Sequence, residues 1–289
     1  MACKIWQIAA QTHFQMMGYV IQTPENKLLM IDGGWPGDAD YLMHLLRKIG
    51  GKKPHVDAWF LTHPHSDHVT ALYHILQERS DELSIGSLYH HYPARDLLVR
   101  GEPGCVKVWD AHQELRPQFK DIEYILEEGQ ELQFDSVRFE VLYVSDPGFV
   151  RNTSNNSSVV LKMTAEGKSV MFLGDLGVEG GEKLLAMHKA EKLKSDIVQM
   201  AHHGQSAVKM DVYDAIRPEI CLWSAPKWLY YNNQGCRGYD SGEWDILHVR
   251  AHMKKLGVRS HIVGKDGTAL LTIDNGQVTI TCEDPYWFD

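Results

Sequence analysis

The chain contains no run of 18 apolar residues, so no membrane-spanning helix is expected. It has no closely spaced cysteine pair either. Cys3, Cys105, Cys221, Cys236 and Cys282 are an odd count scattered along the chain, which argues against a disulfide scaffold and for a reducing compartment. The opening residues Met1-Ala2-Cys3-Lys4-Ile5-Trp6-Gln7 lack a charged segment followed by an apolar core, so no signal peptide is expected and the expected location is cytoplasmic. Basic charge is in deficit. With 38 acidic against 29 basic side chains the net charge is −9, a poor match to non-specific nucleic-acid binding, which rests on neutralising phosphates with Lys and Arg. No linker rich in Pro, Gly or Ser, no low-complexity tract and no short repeat interrupts the 289 residues, so residues 1–289 read as one domain. No Gly-x-Ser-x-Gly elbow, P-loop or Gly-x-Gly-x-x-Gly is present; Gly204-Gln205-Ser206 lacks the closing glycine.

What is present is a loop dense in metal-type ligands. Thr62-His63-Pro64-His65-Ser66-Asp67-His68 packs three imidazoles and a carboxylate into six positions, from His63 to His68. Packing has no use for such a cluster, whereas zinc, manganese and iron favour imidazole and carboxylate at mixed nitrogen and oxygen sites. The preceding Asp57-Ala58-Trp59-Phe60-Leu61-Thr62 reads as a short buried strand. The cluster therefore leaves a strand at its carboxyl end, where α/β proteins place their chemistry.

An apolar content of 44% is enough for a sizeable core. Residues 20–23 and 27–31 read as a hairpin, as do 158–163 with 169–173 and 270–273 with 277–280; the last pair flanks Asp274-Asn275-Gly276, a strong turn signal. Helical periodicity runs through 38–48, 69–77, 106–119, 180–192 and 244–256, and short strands are expected at 87–89, 137–143 and 197–200.

Further candidate ligands follow other strands. Asp175 ends the apolar run Val170-Met171-Phe172-Leu173-Gly174. A buried carboxylate is costly unless paired, so a metal shared between two sites is one explanation and a cap for the helix near Gly180 is another. Ala201-His202-His203-Gly204 follows the strand at 197–200, and the separation of 27 positions from Asp175 to His202 leaves room for one helix and one strand. Asp32, in Asp32-Gly33-Gly34, either orients a metal-bound histidine through its outer nitrogen or makes a plain turn.

His-x-His-x-Asp-His, Gly-Asp and His-His-Gly together resemble the metallo-β-lactamase superfamily. The likeness is to the subgroup that includes the lactamase-like domain of competence DNA-uptake proteins and the phosphorylcholine esterases. The resemblance implies a four-layer α/β/β/α sandwich holding two divalent metal ions, zinc first by ligand type, with manganese or iron fitting the same donors. It implies one metal on His63, His65 and Asp175 and a second on Asp67, His68, Asp175 and one of the two adjacent histidines, taken here as His202 with His203 as the alternative. His203 is then left to contact substrate or protonate a leaving group, beside Asp67 as the other catalytic candidate. The wider superfamily has a third histidine before the hydrophobic strand at 158–163; this chain has Asn155 and Asn156 there, either weak amide ligands or turn-formers. The subgroup's late Asn-x-Tyr-Gly-His-Pro motif has no histidine in the corresponding Tyr230-Tyr231-Asn232-Asn233-Gln234-Gly235, which suggests a different pocket. Trp223, Trp228, Tyr230, Tyr231, Tyr239 and Trp244 cluster nearby, as pocket lining or as core.

The implied activity is hydrolysis by metal-bound hydroxide, on a phosphodiester. Acidic charge favours a small phosphorylated substrate over nucleic acid. The alternatives are a lactone, thioester or amide hydrolase, or a slow-turnover metal-binding regulatory module.

Overall fold

Alternate residues along the strands face different cores, and this period of two builds the fold. In the computed structural model, which describes residues 1–284, Ile5, Ile21, Ile31 and Phe60 point to one side of their sheet, and Trp6, Val20, Met30 and Trp59 to the other. The last five residues of the expected 1–289 domain lie outside the described residues.

The first sheet has eight strands in the order Gln277–Asp284, Thr268–Asp274, Cys3–Gln7, Gly18–Gln22, Leu28–Asp32, Ala58–Phe60, Leu88–His90 and Glu123–Ile125. The second has seven: Ser260–Val263, Ile220–Trp223, Ile197–Gln199, Lys168–Phe172, Val160–Ala165, Val137–Tyr143 and Glu131–Phe134. Each sheet is antiparallel in one half and parallel in the other. Between the sheets lies a core of Tyr19, Ile31 and Phe60 from the first and Phe139, Leu161 and Phe172 from the second. The helices Ala39–Gly50 and Ser66–Glu78 cover the outer face of the first sheet through Leu42, Leu46, Val69 and Leu72. Val178–Met187, Met210–Ile216 and Ile246–Leu256 cover the second through Leu184, Val212, Ile216 and Met253. The layers are therefore helix, sheet, sheet, helix, as expected.

The three hairpins form where turn residues accept left-handed backbone: Asn26 (φ 74°), Glu166 and Gly167 (49° and 78°), Asn275 and Gly276 (47° and 76°). Two expected helices are shorter than their periodicity. The helix expected over 106–119 is Val106–Leu115 followed by a 3-10 turn, since Pro117 has no amide hydrogen for the ladder. The helix expected over 180–192 divides into Val178–Met187 and Ala190–Leu193. His188 between them is extended, and its Nε2 donates to the Leu142 carbonyl at 2.6 Å. Cys3, Cys105 and Cys221 are free thiols. Among the described residues no helix is long and apolar enough to cross a membrane.

For function, the key consequence is one shared edge. Leu28–Asp32, Ala58–Phe60, Lys168–Phe172 and Ile197–Gln199 all end beside each other, and their following residues carry the candidate ligands. Backbone bonds stitch these ends together: the Val159 amide to the Thr62 carbonyl at 2.9 Å, and the His202 amide to the Gly174 carbonyl at 3.1 Å.

Candidate metal centre

The site is built outward from Asp32, the last residue of its strand, with φ 53° and no exposure to solvent. Its Oδ1 accepts from the Thr62 amide at 2.9 Å, and its Oδ2 from Thr62 Oγ1 and His68 Nδ1, both at 2.7 Å. Asp32 is an anchor beneath the histidine loop and not a plain turn. Thr62 Oγ1, having donated to Asp32, accepts from His63 Nδ1 at 3.1 Å.

The same logic holds two more rings by their outer nitrogens. His65 Nε2 lies 3.2 Å from Glu102 Oε1, and His203 Nδ1 donates to the Ser224 carbonyl at 2.9 Å. Four imidazoles thus have one nitrogen held from outside, which fixes the ring and turns the other nitrogen inward. The inward atoms are His63 Nε2, His65 Nδ1, His68 Nε2 and His203 Nε2, and they converge. His63 Nε2 and His65 Nδ1 are 2.9 Å apart. Asp175 Oδ2 stands 3.9 Å from His63 Nε2, 3.2 Å from His68 Nε2 and 3.5 Å from His203 Nε2. His203 Nε2 is also 3.2 Å from Asp67 Oδ2.

Two ligand-type groups result, His63 with His65 and Asp175, and Asp67 with His68 and His203; within each, the donor atoms lie within 4.8 Å of one another. His68 Nε2, His203 Nε2 and Asp175 Oδ1 are buried without a hydrogen-bond partner. Each such orphan costs about 1–3 kcal/mol. Three of them on residues gathered in one place fit a cation, and the donor set suits divalent metals of the zinc type.

The electrostatics agree. Asp175 and Asp67 are penalised by burial, but the surrounding imidazoles outweigh this and hold Asp175 well below the usual carboxylate range and Asp67 at about 2. Burial lowers His68 and His203, yet Asp175 together with Asp32 or Asp67 pushes His68 well up and His203 to about 9. His63, which has the least carboxylate contact, is driven well down by burial and its neighbouring rings. The carboxylates demand positive charge at the centre, and protons supply it when a metal does not.

The structure reverses the places expected for the two adjacent histidines. The strand ends at Gln199, so alternation of strand faces does not govern them. Ala201–Gly204 is a tight turn in which His202, His203 and Gly204 all have left-handed backbone (φ 50°, 57° and 88°). Such conformations are costly for non-glycine residues and gather at functional sites. The turn buries His203 among the ligands. His202 is 28% exposed, its Nδ1 donates to the Ser206 carbonyl at 3.0 Å, and its Nε2 is 4.0 Å from Asp175. His202 stands at the mouth of the site, and His203 is too enclosed to meet a leaving group.

Asn155 Oδ1 is buried without a hydrogen-bond partner, whereas the Asn156 amide is fully engaged. Asn156 Oδ1 accepts from the Gly180 amide, and its Nδ2 donates to Glu179 and the Arg151 carbonyl, so it braces the start of the helix Val178–Met187. Asn155 Nδ2 donates to Asn152 Oδ1. The carboxylate that sequence reasoning missed is Glu102. Its other oxygen accepts from the Ser154 amide at 2.8 Å, joining His65 to the segment where the third histidine is missing. Gln15, also missed, donates to Asp67 Oδ2 at 3.1 Å. Neither has motif spacing; each is placed by a long excursion of the chain. A separate cluster of His90, His112 and Glu123 is internally satisfied, with Arg116 on Glu123 and Tyr73 on His112, and reads as a structural network.

This fold and this convergence of histidine and aspartate define a class, and the sequence comparison gives the same one. Residues 16–217 match the metallo-beta-lactamase superfamily, and the chain belongs to that family. The family consists mostly of hydrolases, and its fold implies divalent metal binding. Among curated relatives, ComE operon protein 3 of Bacillus subtilis (strain 168) is 28% identical over 235 residues, 80% of this chain but 26% of that protein. The chain therefore spans about a quarter of that relative's length. Among solved structures, the metallo-beta-lactamase fold protein YhfI from Bacillus subtilis superposes with a TM-score of 0.57 at 13% identity, covering 94% of this chain and all of that one. CmlA, a diiron beta-hydroxylase from Streptomyces venezuelae, gives 0.54 at 12% identity over 94% of this chain and 54% of its own. At these identities the structural matches speak to the fold alone.

Proposed function

We propose that the chain is a two-metal phosphodiester hydrolase. His63, His65 and Asp175 would hold one divalent ion and Asp67, His68 and His203 the other, with Asp175 shared. The observation that carries this reading is the set of four imidazoles held by their outer nitrogens with their inner nitrogens gathered around one buried carboxylate. Zinc is the first expectation from the donors; the diiron centre named for CmlA keeps iron as an alternative. Bound there, the ions would supply Lewis acidity and a water whose pKa falls to about 7.

The chain's own groups do the rest. Asp32, Thr62, Glu102 and the Ser224 carbonyl hold the rings in register, so no reorganisation is needed during reaction. The reaction adds water across one phosphorus–oxygen ester bond: the phosphorus keeps the hydroxyl oxygen and the ester oxygen departs with a proton. His202, at the mouth with Nε2 unengaged by Ser206, is the group proposed to deliver that proton. The test is a panel of bis(p-nitrophenyl) phosphate, a lactone and a thioester with zinc- or manganese-loaded protein and its Asp175→Asn variant. Turnover of the phosphodiester alone, lost in the variant, supports the reading. Turnover of the lactone or thioester alone replaces it.

A further inference from the structure

A groove of about 480 Å³ is lined by His13, Lys227, Trp228, Tyr231 and Lys265 among others. Both of its walls continue into groups that touch the ligands. On one side, His13 precedes by two residues Gln15, whose Nε2 donates to Asp67. Two residues of chain span at most about 7 Å. On the other side, Pro226 follows by two residues Ser224, whose carbonyl holds His203. Trp228 joins the walls, since its Nε1 donates to the His13 carbonyl at 2.7 Å.

The chemistry of the lining is specific. Trp228 is fixed by that bond and by an edge contact with Trp244 at 4.8 Å, so it presents an ordered ring. Tyr231 adds a second aromatic side chain. Lys227 is exposed and has no ion pair among the described residues, while the charge of Lys265 is offset by Asp266. One uncompensated cation, two aromatic rings and nucleotide-sized space suit a phosphate ester bearing a flat ring.

We propose that this groove binds the ring-bearing side of the substrate: the ring packs on Trp228 and Tyr231, Lys227 meets the anion, and the scissile phosphate faces the metal centre. The assignment deepens the phosphodiesterase reading and rests on it for the position of the phosphate. It narrows the substrate to phosphoesters of an aromatic or heteroaromatic group, of which a nucleotide unit is the natural example.

The test is calorimetric binding to the zinc-loaded protein of three probes: adenosine 5′-monophosphate, ribose 5-phosphate, which lacks only the ring, and adenosine, which lacks only the phosphate. The monophosphate should bind about ten-fold or more tightly than either fragment. Trp228→Ala should remove most of the preference over ribose 5-phosphate, and Trp228→Phe should restore it. Because Trp228→Ala also breaks the bond to His13, Lys227→Ala at an exposed position gives a second reading: weaker monophosphate binding with adenosine unchanged. Equal affinity for adenosine 5′-monophosphate and ribose 5-phosphate, or a preference untouched by both variants, overturns the assignment. Turnover of methyl p-nitrophenyl phosphate is measured alongside. Preference without turnover sinks the hydrolase and leaves the groove; turnover without preference does the reverse.

Discussion

Glu102 offers the sharpest test of how the centre is assembled. It is the outer partner of His65, 3.2 Å from Nε2, and it is itself held by the Ser154 amide at 2.8 Å. Glu102→Ala frees the His65 ring to rotate and to take the other tautomer, which puts the proton on the nitrogen facing His63. Outer partners of this kind are worth about 10–100-fold in metal affinity, or about 1.4–2.7 kcal/mol. The loss should fall on the ion held by His63, His65 and Asp175 alone, since Asp67, His68 and His203 are oriented by Gln15, Asp32 and Ser224. Zinc titration of stripped protein against a chromogenic chelator resolves two steps, and one step should shift by that factor while the other stays. Glu102→Gln keeps an oxygen acceptor and should lose about ten-fold or less. Equal weakening of both steps, or an unchanged titration in Glu102→Ala, would refute the reasoning.

Three further outcomes follow from the geometry. His203→Ala should remove one bound metal equivalent and lower turnover by at least about 100-fold, whereas His202→Ala should keep both equivalents and lower only the rate; metal analysis beside kinetics separates them. Glu123 is held at about 2 by His90, Arg116 and His112 against an ordinary value of 4.5, so its share of stability is present above pH 4.5 and is lost as pH falls toward 2. Glu123→Gln should therefore cost about 1–3 kcal/mol at neutral pH, and the gap from wild type in urea melts should close as pH is lowered from 4.5 to 2. Gly204→Ala should be severely destabilising and should disorder His203, because φ is 88° and an added Cβ would lie 2.4 Å from the Trp223 ring; a melting temperature equal to wild type would contradict this.

Local chemistry made the frame legible. Asn275-Gly276 and Glu166-Gly167 announce hairpins because left-handed backbone is what their turns require, and the two-residue period of the strands sorts Ile5 from Trp6 into separate cores. The histidine loop and Asp175 stood out because clustered imidazoles and a carboxylate at buried strand ends are costly unless partnered. The order of His202 and His203 was not, since it depends on three consecutive left-handed residues that no periodicity encodes. Glu102 was invisible for another reason: it reaches His65 across 37 positions from a turn between short helices. Asn155 and Asn156 look alike in sequence, yet Asn156 braces a helix start while Asn155 Oδ1 is buried without a partner, a difference set by tertiary packing.

The central claim is that catalysis depends on two metal ions held by this one constellation. The direct measurement is turnover of bis(p-nitrophenyl) phosphate by metal-stripped protein as zinc or manganese is added in known equivalents, with Asp175→Asn in parallel. The account predicts no activity at zero metal, a rise that ends at two equivalents per chain, and none at any ratio in the variant. Full activity in stripped protein, or an Asp175→Asn variant that turns over like wild type, would contradict it.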